Sequence, residues 1–114
     1  MAGTIRAQII SMNTQKFTEM SLRAVQDAQQ IALHGGNPEV DTIHLLKALV
    51  DQENGIVPEI LKHLALGANA LSLAVDRELE KLPKTSGSVD TSRVYVTQAL
   101  NQVFAEAEKE ADRL

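Results

Sequence analysis

Apolar positions along this chain recur at helical spacing, not strand spacing. From Thr18 to about His34, Ala24, Ala28 and Ala32 fall four apart, with Val25 and Ile31 beside them on one face. Thr18 suits the N-cap, where a hydroxyl accepts from a free backbone N–H, and Phe17 ahead of it suits the hydrophobic staple. Gly35-Gly36-Asn37-Pro38 ends this first helix, because glycine tolerates left-handed φ and proline cannot continue.

A second helix starts with Asp41 or Thr42 as cap and runs to about Gln52, with Ile43, Leu45, Leu46, Leu49 and Val50 apolar; Asn54-Gly55 stops it. Pro58 suits the first turn of a short third helix, whose Ile60, Leu61 and Leu64 form a stripe ending at Gly67. The fourth covers roughly Asn69 to Leu82, with Leu71, Val75, Leu79 and Leu82 on one side, and Pro83 closes it. The stretch PKTSGSVDTS reads as a polar loop. Thr97 opens a fifth helix striped by Leu100, Val103, Phe104, Ala107, Ala111 and Leu114. No segment sustains a period of two; RVYV, Arg93 to Val96, is the lone β-like tetrapeptide. The expected fold class is all-α.

The fifth helix repeats the first. A shift of 79 positions carries Thr18 onto Thr97, Ala24 onto Val103, Val25 onto Phe104, Ala28 onto Ala107 and Ala32 onto Ala111. The unit is then a four-helix repeat whose second copy stops early in this chain, and DTIHLL would recur beyond the last residue. The fifth helix must pack on the first unit, pair with another chain in a dimer, or leave apolar surface exposed.

Composition narrows the function. The 114 residues suffice for one domain, and only 3% are aromatic, so the core is aliphatic. A net charge of −4 disfavours nucleic acid as main partner. There is no cysteine, which removes disulfides and thiolate chemistry and fits a cytoplasmic setting. No apolar run reaches the roughly 20 residues of a membrane span, so no membrane partner is expected. Met12 reads as an alternative start, which makes residues 1–11 an N-terminal extension, native or vector-derived, and 12–114 the domain.

His44 is the one candidate for chemistry, with Glu39 and Asp41 close in sequence. A helical metal pair needs a second ligand four residues away, and Val40 and Ala48 stand there. The acids suit the positive end of a helix dipole. The reading is therefore structural or surface, with no catalytic residue and no metal ligand. Nucleophile elbows and phosphate-cradling glycine loops are absent from the sequence. Met20 and Leu22 fit either a core or a peptide-binding groove.

The segments FTEMSLRAVQDAQQIAL, EVDTIHLLKALVDQENGIVPEIL, LGANALSLAVDRELEKLP and TQALNQVFAEAEKEA, in that order, resemble the N-terminal domain of the Clp ATPases, and most of all that of the ClpB-type disaggregases. The resemblance spans Met12 to Leu114; DTIHLLKALV is its most specific piece. It implies a Clp N-type helical bundle: the first four-helix repeat plus the first helix of a second pseudo-twofold repeat, truncated here. It also implies a chaperone domain of the stress response that captures unfolded or aggregated polypeptide for an ATPase ring. No cofactor is expected in this domain, which is not itself an enzyme; ATP and Mg would serve the parent. The alternative is an adaptor-docking domain of a protease-coupled Clp relative. For substrate binding, the resemblance points to Thr18, and apolar residues of the first and fifth helices, Leu22, Val25 and Phe104, are further candidates.

Overall fold

The computed structural model describes residues 18–85 and 95–113, and within them the chain forms five α-helices and two short strands. In order these are α1 (Glu19–His34), β1 (Glu39–Val40), α2 (Thr42–Asp51), α3 (Ile56–His63), α4 (Ala68–Glu80), β2 (Tyr95–Val96) and α5 (Gln98–Arg113). The all-α expectation holds. The Phe17 staple, the extension, the loop from residue 86 to 92, the Arg93-Val94 half of the β-like tetrapeptide and Leu114 lie outside the described residues.

Local chemistry accounts for each boundary. Thr18 caps α1: its Oγ1 accepts from the Ser21 N–H at 3.0 Å. At the other end Gly36 takes φ +70°. Its N–H donates to the Leu33 carbonyl, and the Asn37 N–H donates to that of Ala32, a Schellman closure. Asp41, not Thr42, caps α2. The third helix departs from expectation: it stops at His63, well before Gly67. Here Ala65 holds the left-handed position at φ 58°, and the Leu66 N–H reaches the Leu61 carbonyl at 2.8 Å. Gly67 instead precedes α4 as its N-cap.

The core is built where α1, α2 and α5 meet. Ala24, Val25, Ala28 and Ala32 of α1, Ala48 of α2, and Leu100 and Phe104 of α5 are buried together with the strand residues Val40 and Val96. Alanines at spacing four let α2 approach α1 closely, so the longer side chains of α5 can fill the remaining space. β1 and β2 pair in parallel, Glu39 with Tyr95 and Val40 with Val96. The Thr97 N–H continues this ladder by donating to the Val40 carbonyl at 3.0 Å. Glu39-Val40 carries no strand signal of its own; the pairing exists because α5 must enter beside the start of α2.

On the opposite flank α4 is tied to α2 by a charge cluster. Lys47 Nζ lies 2.7 Å from Asp51 Oδ2, 2.8 Å from Asp76 Oδ1 and 2.6 Å from Ser72 Oγ. Burial alone would lower the Lys47 pKa, but the hydrogen bonds to Asp51 and Asp76 outweigh it and hold the amine above its ordinary value.

Candidate functional site

Most of the sequence candidates gather at a groove between α1 and α5. Its walls are Thr18, Ser21, Ala24 and Val25 from the first half of α1, and Val103, Phe104, Ala107, Glu110 and Ala111 from α5; Leu45 and Leu49 of α2 join them. Its volume is about 380 Å³, within the range of about 300 to 1,000 Å³ usual for ligand pockets. Carbon dominates the surface. The polar atoms sit at the rim, where Thr18 and Ser21 share a hydroxyl–hydroxyl contact of 2.9 Å. The Glu110 carboxylate accepts from Arg113 Nη1 at 3.2 Å, so its charge is partnered at the surface.

Three of the four site candidates are brought together here. Thr18 stands at the rim, while Val25 and Phe104 are nearly closed to solvent and serve both the core and the groove. Leu22 is not among the lining residues; it is half-buried and packs against the core cluster. Val103 supplies what Phe104 cannot: it lines the groove and remains 40% exposed, open to contact by another molecule. Leu45, Leu49, Ala107 and Ala111 were legible only as helix-face residues. Their spacing of four placed each pair on one stripe, but nothing local told which part of the stripe faces a gap.

His44 lies elsewhere and is fully buried. Its Nδ1 accepts from the Asp41 backbone N–H at 2.9 Å, closing a capping box in which imidazole takes the place of the usual Glu or Gln. That leaves the proton on Nε2, which donates to Asn37 Oδ1 at 3.0 Å. Asn37 Nδ2 in turn donates to the Pro83 carbonyl at 3.0 Å. The imidazole thus joins the α2 start, the turn after α1 and the segment after α4, with both nitrogens engaged. Burial lowers its pKa, and the nearby Asp41 opposes that only in part. Both nitrogens being occupied, the ring has neither a lone pair nor an N–H to offer a substrate. Among the described residues no group of three or more His, Asp or Glu side chains is placed to hold a metal ion, and no helix is long and apolar enough to cross a membrane.

The internal repeat reappears in the capping geometry. Thr97 Oγ1 accepts from the Leu100 N–H at 3.2 Å, as Thr18 Oγ1 accepts from that of Ser21. The same shift of 79 relates both the acceptors and the donors.

Comparison with known proteins agrees with this architecture. A family profile described as the Clp repeat (R) N-terminal domain matches residues 16–114. The chaperone protein ClpB of Nitratidesulfovibrio vulgaris is 40% identical over 104 residues, 90% of this chain and 12% of that protein. ClpB of Bacillus cereus is 33% identical over 104 residues, again 90% and 12%. ClpB of Brucella suis is 34% identical over 102 residues, 90% of this chain and 11% of its own length. The chain therefore spans only a small part of the length of these relatives.

Proposed function

The chain belongs to the Clp repeat N-terminal domain family, of the ClpB chaperone type, and from that membership we propose that it captures unfolded or aggregated polypeptide and presents it to an ATPase ring. The groove between α1 and α5 carries this reading. Apolar burial contributes roughly 25 cal/mol per Å² without demanding direction, so such a surface accepts many sequences. The hydroxyls of Thr18 and Ser21 at the rim can hydrogen-bond a passing backbone. ATP and Mg serve the ring, in regions of the relatives that this chain does not cover; the residues present here do the holding.

The experiment is binding of a reduced, carboxymethylated model protein that cannot refold, followed by fluorescence anisotropy. Val103→Ser, on the exposed wall, should weaken binding by about threefold to tenfold, as expected for losing one or two buried carbons, with the helical content unchanged. A wild-type chain that takes up neither unfolded protein nor aggregates would remove the proposal. Tight binding to a single folded partner in its place would select adaptor docking.

A further inference from the structure

The two walls of the groove are held by different contacts. α1 packs along α2 through buried alanines. α5 enters the core through Leu100 and Phe104, in its first half; beyond them Ala107, Glu110 and Ala111 line the groove. Its starting direction is set by the β1–β2 ladder and by one side-chain contact: Thr97 Oγ1 donates to Asp41 Oδ1 at 2.8 Å. The same carboxylate oxygen accepts from the Thr42 N–H at 2.7 Å, and the Asp41 N–H is held by His44. The N-caps of α2 and α5 are therefore hydrogen-bonded to one another.

We propose that Asp41 is a positioning residue for the groove: by holding the Thr97 hydroxyl it sets the tilt of α5, and with it the distance between the two walls. The inference rests on the groove being the polypeptide site. Leverage makes the contact consequential. Ala111 lies 14 residues beyond Thr97, about 20 Å along a helix rising 1.5 Å per residue, so a tilt of roughly 10° at the cap moves it by about 3 Å. A shift of that size is comparable to the width of a methyl group and changes which side chains the groove can close around.

The test separates capping from tethering. Asp41→Ser keeps a good N-cap for α2, but its side chain is one carbon shorter and lacks the second oxygen, so it releases Thr97. Asp41→Asn keeps an oxygen in place for both bonds. Because the chain has no cysteine, Gln26→Cys and Lys109→Cys give unique spin-label sites on exposed faces of α1 and α5 in the full 114-residue chain. Asp41→Ser should shift or broaden the interlabel distance by several Å and lower affinity for the carboxymethylated protein severalfold; Asp41→Asn should restore both. An unchanged distance distribution in folded Asp41→Ser overturns the proposal. If the distance responds but even the wild type binds no unfolded protein, the tether stands as a positioning device and the capture reading falls.

Discussion

Asn37 Oδ1 and His44 Nε2 lie 3.0 Å apart at a site where the imidazole has no solvent exposure. With the proton held on Nε2, Nδ1 is the nitrogen that titrates, and this makes the N-terminus of α2 sensitive to protons. His44 Nδ1 must accept from the Asp41 N–H, and a protonated ring would instead present an N–H to an N–H.

Stability should therefore fall on mild acidification. Burial places the folded imidazole below its ordinary value of 6.5. As pH falls, the unfolded chain takes up this proton first, so stability fully present above 6.5 is lost progressively below it, until the folded ring also titrates. Urea melts from about pH 7 to about pH 5, the range in which His responds, should show the decline, and His44→Ala should flatten it. That substitution should itself cost about 2 to 4 kcal/mol at neutral pH, from the cavity and the two groups left unpaired. Full stability and unchanged pH dependence in His44→Ala would contradict this role.

The Lys47 cluster gives a second, salt-sensitive term. Asp51 and Asp76 are 46% and 47% exposed, so solvent screens much of the attraction. Lys47→Ala should cost about 1 to 2 kcal/mol, less at high ionic strength, measured by denaturant unfolding at two salt concentrations. Burial works to raise the Asp51 pKa, but its bonds from Lys47 and Ser72 win and lower it from 3.8; this contribution is present above that value and disappears as pH falls through the lower folded value.

The two repeat-related threonines should differ in cost. Thr18→Ala removes one exposed cap and should destabilise by about 1 kcal/mol. Thr97→Ala removes the equivalent cap and also leaves Asp41 without its hydroxyl donor, so roughly 2 kcal/mol is expected. Calorimetric melts of the pair decide it: equal losses would mean that the Asp41 contact adds nothing.

Ala65→Gly should raise stability. Alanine at φ 58° pays a left-handed penalty of about 1 kcal/mol that glycine avoids, partly offset by the greater freedom of glycine in the unfolded chain. A gain of about 0.5 kcal/mol, within reach of careful denaturant titration, is expected. A loss would show that the Schellman turn after α3 is not strained.

Hydrophobic spacing and caps made the helices legible in the linear chain. The caps Thr18 and Thr97 act within four residues of themselves, so local chemistry suffices to place them, whereas it left Asp41 and Thr42 as alternatives for α2. The helix stop at Ala65 was not legible, because alanine has no turn preference and the Leu66 and Ala65 N–H bonds that hold it form only once the helix exists. Of the site, the stripes bearing Val25 and Phe104 could be read, yet the position of the gap between them could not. Leu22 illustrates the limit: its sequence credentials match those of Val25, and packing alone sends one to the groove and the other to the core's flank.

Long-range pairing was decided by tertiary structure. Glu39-Val40 becomes a strand only because Tyr95-Val96 arrives beside it. His44 acquires its fixed tautomer from Asn37 as well as from its own helix, and Asp41 becomes the anchor of a helix 56 residues away. Periodicity specifies which face of each helix shuns water. Which faces meet, and where they leave a gap, depends on side-chain volumes and hydrogen bonds that come together only when the chain has closed on itself.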